Sequence, residues 1–324
     1  MPDSLLTIKD LHLKFDLFEG VSHVLNGVDL FIRSGERVAI VGESGCGKST
    51  AVRAILGLLT GRNVSLSGSI QFSGSELIHN TNHKLWRDIR SRRISMIFQD
   101  PTAALNPVFS VRDQMVNVIR RGSKVRNKKE ALDLARVALT RVAISDPDRI
   151  LDAYPFQLSG GLAQRVMITM ALINRPELVL ADEPGSALDV TVQEQTLHLM
   201  RELTTEAGAA VLIITHNLGV VREFAQRVYV MYAGSIVEEA TVHDLFNKPK
   251  HPYTRALIDA VPKLTGGDLP KAIEGVVPDY TNPPPGCRFH TRCQFSESRC
   301  RAPQAMIDLG EGHRVACFLA EQHD

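Results

Sequence analysis

The chain has 324 residues, 44% hydrophobic and 23% charged, with 37 Lys and Arg against 36 Asp and Glu. At roughly 150 residues per domain that is about two domains with a sizeable core, which excludes a mini-scaffold and a mostly disordered chain. A net charge of +1 gives no strong field for gripping nucleic acid or anionic lipid, and no apolar run (residues 209–214 are among the longest) approaches the roughly 18 to 20 residues that cross a bilayer.

The start of the chain, residues 1–10, lacks the basic region and apolar core of a signal peptide, so a cytosolic location is expected. Residues 37–41 read as a strand, residues 42–47 as a glycine-rich loop, and Val52, Ile55, Leu56 and Leu59 then repeat at helical spacing. Residues 101–175 differ. They carry helix-length patterns at 111–121, 128–142 and 162–173 without a convincing strand, which points to a helical insertion. Short apolar runs at 178–181, 210–214 and 228–231, with helical segments such as 192–206 between them, favour an α/β fold with a mainly parallel sheet. After residue 249, Pro262, Pro270, Pro278 and the prolines at 283–285 interrupt any long element, and four of the five cysteines follow. The expected division is a domain at 1–260 and a small Cys-rich module at 261–324.

Gly42-Glu43-Ser44-Gly45-Cys46-Gly47-Lys48-Ser49 satisfies G-x-x-x-x-G-K-[ST] between a predicted strand and a predicted helix. Its glycines let backbone N–H groups face phosphates, Lys48 is expected to reach the β and γ phosphates and Ser49 to ligate Mg²⁺, with Ser44 and Thr50 in the same binding set. Cys46 reads as a small tolerated side chain. Residues 178–183 (LVLADE) end an apolar strand in two carboxylates: Asp182 to orient Mg²⁺, Glu183 to polarise the attacking water. Taken singly, Gln99 would read as a surface amide, His216 as a core histidine and Phe15 as a core aromatic.

Residues 158–165 (LSGGLAQR) resemble the signature sequence of ABC (ATP-binding cassette) ATPases, shortly before the strand ending at Asp182. The other stations stand in order: Gln99 resembles the Q-loop, residues 186–189 (SALD, with Asp189) the D-loop, His216 the switch histidine, and Phe15 the aromatic stacked on adenine. The resemblance covers about residues 5–260 and implies a P-loop ABC ATPase core with a nested helical subdomain. It implies that ATP held by one chain is closed over by Ser159, Gly160 and Gly161 of a second, that Gln99 helps to hold Mg²⁺, and that His216 supports hydrolysis. One departure is Gly185-Ser186 where the family most often has Thr-Thr.

Residues 96–107 (MIFQDPTAALNP), the KPKHPYT run from Lys248 and residues 285–289 (PGCRF) are similar to the oligopeptide/dipeptide branch of bacterial ABC importers. That implies ATP-driven import of small peptides, with nickel, opine or sugar as alternative cargo. It also implies two integral-membrane permeases, a second related ATPase as heterodimer partner, an extracytoplasmic solute-binding protein, and a peripheral place on the cytoplasmic face of the inner membrane. A soluble ABC ATPase acting on nucleic acid or ribosomes is the reading from another class. The single cassette and the 109-residue interval from Ser49 to Leu158 without heptads speak against it, as do the basic clusters at 84–93 and 120–129, read as solvated helix faces. Cys287, Cys293, Cys300 and Cys317 are spaced C-x₅-C-x₆-C-x₁₆-C, without the close pairs of structural zinc sites. The resemblance implies a [4Fe–4S] cluster there, with zinc or four free cysteines as alternatives. His290 and His313 are expected at the surface.

Overall fold

In the strand Ser4–Leu17 the apolar residues Leu6, Ile8, Leu11 and Leu13 are all buried, although Ile8 and Leu11 are three apart instead of two. A strand that keeps one face inward must gain a residue there. The computed structural model, which describes residues 4–186, 188–261 and 272–322, places a register shift between Lys9 and His12, in a ladder pairing Leu6 with Phe72 and Leu13 with Leu66. Gly20–Arg33, Ser4–Leu17, Val64–Phe72 and Ser75–Glu76 form one four-stranded sheet in that order.

The chain divides into two compact units, Met1–Ile32 with Arg37–Asn80 and Ile214–Asp324, and Arg33–Glu36 with Thr81–Ile213. In the first, Arg37–Val41 runs parallel to Arg227–Tyr232, with Val38 beside Arg227 and Val41 beside Val230. Both are almost wholly buried, as a strand covered on both faces must be. Arg227–Tyr232 turns back into antiparallel Ser235–Thr241, which pairs with Arg314–Val315, which pairs with Ile307–Asp308. The C-terminal residues thus extend the same sheet as the strand leading into the phosphate loop. The expected boundary at residue 261 borders residues 262–271, with Pro262 and Pro270, which lie outside the described residues.

His313 is not at the surface. The short strand beside it draws it inward, and its Nε2 lies 2.7 Å from Oε1 of the fully buried Glu238, which also accepts from the N–H groups of Lys250 and His251 at 2.8 and 2.9 Å. Burial works to raise the pKa of Glu238, but these partners outweigh it and hold the carboxyl below its ordinary value. His251 is buried too; its Nδ1 accepts from the N–H of Tyr253 at the start of the helix Pro252–Asp259, and burial pushes its pKa from 6.5 down to about 4. The folded state therefore refuses a proton that the unfolded chain accepts. The resulting stability is whole above about pH 6.5 and falls, by up to about 3 kcal/mol, as the pH drops towards 4. In urea unfolding at pH 7 and 4.5, His251→Asn, which can keep the helix cap, should lose distinctly less stability between the two than the parent chain.

In the second unit, helices span Val111–Gly122, Lys128–Arg141 and Gly160–Leu172, and residues 101–175 contain no strand. Val111, Met115, Ile119, Ala135, Leu139 and Val166 meet in one apolar core, the i, i+4, i+8 spacing of the first three setting the inward stripe. Ile94–Ile97 pairs in parallel with Leu178–Asp182, Met96 beside Leu180. Among the described residues no helix is long and apolar enough to cross a membrane.

Candidate active site

In the first unit the strand Arg37–Val41 leads into a tight loop and the helix Lys48–Ile55. A Cβ at Gly42 would lie 2.1 Å from the Met231 carbonyl oxygen, so the backbone can pass there only as glycine. Gly47 precedes the helix at φ 107°, a left-handed conformation, and offers no side-chain cap to the first-turn N–H groups. Uncapped N–H groups under the positive end of the helix dipole suit a phosphate. Lys48 is nearly buried and turns its ammonium back on the loop, donating to the carbonyl oxygens of Gly42 at 2.8 Å and Glu43 at 3.0 Å. Cys46 is fully buried beside it, and burial raises its thiol pKa, which suits a packing role. Phe15 is half-buried opposite Val64, and His216, directly after the strand Ala210–Thr215, is exposed and so is not a core histidine.

In the second unit Gln99 and Glu183 come together, the Gln99 amide Nε2 lying 3.5 Å from Oε2 of Glu183. Asp182 closes the strand Leu178–Asp182, and Glu183 follows with φ 46°, a left-handed backbone that a non-glycine residue adopts only at a cost. The turn continues through Gly185 at φ 89°, a conformation that would strain the threonine more usual in the family. Ser159 accepts from the N–H of Leu162 at the head of Gly160–Leu172, and Asp189 does the same for Val192 at the head of Val190–Ala207. Ala187 of the D-loop lies outside the described residues. Neither Gly160 nor Gly161 has positive φ, and a Cβ on either would meet its nearest neighbour, Leu188 or Val192, at an ordinary 3.5 Å. Among the described residues nothing requires glycine at those two positions. In the basic cluster at 84–93, Arg92 pairs with Asp88, Arg93 with Glu177, and Arg90 stacks over Trp86.

The four C-terminal cysteines are free thiols, and all four line one cavity of about 20 Å³ together with Phe289, Phe295 and Leu319. Burial pushes the Cys287 thiol up to about 11 and raises Cys293 and Cys317 as well, so without a positive centre they stay protonated near neutral pH. Among the described residues no group of three or more His, Cys, Asp or Glu is arranged to hold a single metal ion. His290 stands half-buried next to them, its Nδ1 2.8 Å from the Cys287 carbonyl oxygen.

Residues 25–186, spanning the phosphate loop, Gln99, the signature and Glu183, match the family model described as ABC transporter. The chain belongs to the ABC transporter family. It is an ATPase of the transport-coupled kind, and residues 237–300 match a second model, the oligopeptide/dipeptide transporter C-terminal region, which takes in three of the four clustered cysteines. A Sinorhizobium fredii protein described as a probable peptide ABC transporter ATP-binding protein is 45% identical, over 99% of this chain and 96% of its own length. The dipeptide transport ATP-binding protein of Bacillus subtilis is 42% identical, over 99% and 96%. Among solved structures, the dimeric ATP-binding cassette MJ0796 in a post-hydrolysis state with ADP and Pi is 28% identical with a TM-score of 0.65, covering 73% of this chain and 98% of that one.

Sequence reading missed the side chains that hold the ABC phosphate loop from outside. Tyr253 Oη accepts from the Glu43 N–H at 2.9 Å, Tyr280 Oη donates to the Gly45 carbonyl oxygen at 2.7 Å, and Arg292 binds the Glu43 carboxylate. They lie more than 200 residues away in the chain; Tyr253 stands in the KPKHPYT run, but no local pattern shows the hold of any of the three on the loop.

Proposed function

We propose that this chain is the ATP-hydrolysing subunit of an importer for small peptides. The observation that carries the reading is the pairing of an ABC ATPase core with the oligopeptide/dipeptide C-terminal region in one chain, similar over nearly its whole length to proteins named for peptide and dipeptide transport. The nickel, opine and sugar alternatives, and the nucleic-acid one, find no comparable support among those names.

In this reading Lys48, Ser49, Thr50 and the backbone at Gly42, Ser44, Gly45 and Gly47 bind the phosphates of ATP, Phe15 stacks on the adenine, and Ser49, Gln99 and Asp182 serve Mg²⁺. Glu183 polarises the water, and His216 supports it. Ser159, Gly160 and Gly161 close over the nucleotide of a second cassette, with Asp189 at that border. The support for closure between chains is that the described residues of this chain give its two signature glycines no reason to be glycine. The second cassette is a related but different ATPase. Both sit on two integral-membrane permeases at the cytoplasmic face of the cell membrane and are served by an extracytoplasmic solute-binding protein. Exposed Val108, Phe109, Tyr154 and Phe156, brought near one another by the hydrogen bond from Val111 N–H to the Ala153 carbonyl, offer the permeases an apolar contact. The division into a domain at 1–260, with its insertion at 101–175, and a C-terminal module belongs to the same reading.

Cys287, Cys293, Cys300 and Cys317 hold a [4Fe–4S] cluster. What supports this is that the four thiols line one cavity and that their spacing lacks the close pairs of a zinc site, although among the described residues no group is arranged to hold a metal ion. The cluster would supply a cross-link between four loop positions. One preparation tests both parts: the tagged chain purified from membranes without oxygen. It should carry two permeases, a second ATPase and iron with broad brown absorption, the iron being lost on Cys293→Ser. Zinc alone, or recovery on ribosomes or DNA, would contradict the respective part.

A further inference from the structure

The loop from Gly42 to Gly47 is held from outside at four points, all within the first unit. Arg292 forms a forked ion pair with Glu43, Nη1 to Oε2 at 2.8 Å and Nη2 to Oε1 at 3.2 Å, and its side chain is only 4% exposed. Arg292 is itself fixed by the carbonyl oxygens of Glu274 and Ile273 at 2.8 and 3.1 Å and by Tyr232 Oη at 3.3 Å. Tyr280 donates to the Gly45 carbonyl oxygen at 2.7 Å, and its own carbonyl oxygen accepts from the His23 N–H at 2.7 Å. Tyr253 Oη accepts from the Glu43 N–H at 2.9 Å, and the Gly234 N–H donates to the Cys46 carbonyl oxygen at 2.8 Å.

In a planar trans peptide the C=O and the following N–H point opposite ways. A Gly45 carbonyl pinned outward by Tyr280 sends the Cys46 N–H inward, where it now meets the Glu43 carbonyl oxygen at 3.3 Å. A Cys46 carbonyl pinned outward by Gly234 does the same for the Gly47 N–H. Those inward N–H groups are what a phosphate needs, and holding them ready removes an ordering cost from binding.

We propose that Tyr280 and Arg292, in the C-terminal region, are positioning residues of the nucleotide site: they hold the phosphate loop in its ATP-accepting form without touching ATP. The segment from Cys287 to Cys293 carries Arg288, Phe289 and Arg292. Arg288 donates to the His23 carbonyl oxygen at 3.0 Å and to that of Ala233 at 2.5 Å, and Phe289 packs edge-on against Tyr232 at 5.1 Å and near Tyr253 at 5.3 Å. The two cysteines therefore bracket Arg292, one of the two bracing residues, and the C-terminal region becomes part of the ATPase rather than an appendage.

The inference rests on the phosphate-loop reading, so Lys48→Ala is measured alongside. The probes are a fluorescent ATP analogue for Kd on the full chain, and KM and kcat for ATP in the assembled transporter. Arg292→Gln and Glu43→Gln should each raise Kd and KM about tenfold, the loss of one charge-assisted contact, with kcat within about twofold. The double variant should be no worse than the poorer single, Arg292→Lys should recover part of the affinity, and Tyr280→Phe should raise Kd about threefold. Unchanged Kd in Tyr280→Phe and in folded Arg292→Gln, or effects of Arg292→Gln and Glu43→Gln that multiply, would overturn the brace. If Arg292→Gln does not fold, Glu43→Gln and Tyr280→Phe decide by the same criteria. Loss of binding in Lys48→Ala with no change in the others sinks the brace alone, whereas retained binding in Lys48→Ala sinks the site reading itself.

Discussion

Glu183→Gln should cut ATP turnover by on the order of 10² or more, at least about 2.7 kcal/mol of barrier, while ATP binding stays intact. The two effects separate because they belong to different residues. In the proposed reading binding rests on the loop around Lys48, whose ammonium sits on the carbonyl oxygens of Gly42 and Glu43 and would exchange them for phosphate. Glu183 stands in the second unit at the end of the strand Leu178–Asp182, with Gln99 at 3.5 Å and a left-handed backbone. Strain of that kind persists where the surrounding structure needs a side chain in one place. The amide keeps the shape of the carboxylate and loses its ability to draw a proton from water. A single-turnover assay with saturating ATP, beside a direct Kd, separates the two. Turnover like that of the parent would show that another group activates the water.

Ser159→Arg should stop the pair of cassettes from closing over nucleotide, lowering turnover of the assembled transporter by about 10-fold or more while this chain's own affinity for ATP is unchanged. Ser159 is exposed at the head of Gly160–Leu172, where an anion from another chain would meet the helix N-terminus. A bulky side chain blocks the approach. The change also removes the cap on the Leu162 N–H, which costs about 1 kcal/mol of helix stability. Ser159→Asn separates the causes, since it keeps a cap with a smaller side chain. If both variants left closure intact, measured as ATP-dependent dimer formation with Glu183→Gln in the background, the signature would have no role across the interface.

The phosphate loop, the strand ending in Asp182 and the three long helices of residues 101–175 were legible because each is written in adjacent residues: a glycine pattern, an apolar run, a period near 3.6. The antiparallel sheet of Ser4–Leu17, Gly20–Arg33 and Val64–Phe72 was not. Its first strand breaks alternation at the irregularity between Lys9 and His12, so a search for period two loses the thread. His313 was misread for a related reason. A two-residue strand carries no pattern, and only pairing with Ser235–Thr241 takes it inside to Glu238. Within the site, residue types and order pointed to chemistry, but the left-handed Glu183 and the hold of Tyr253, Tyr280 and Arg292 on the loop arise from contacts distant in the chain.

The measurement that bears most directly on the whole account is uptake into vesicles carrying the assembled transporter, with this chain as parent or Glu183→Gln, labelled di- and tripeptides outside with the solute-binding protein, and ATP inside. Peptide should accumulate against its gradient only with internal ATP, and this accumulation should be lost in Glu183→Gln while ATP binding persists. Peptide uptake unaffected by Glu183→Gln, or ATP-driven uptake of nickel, opine or sugar with none of peptide, would contradict it.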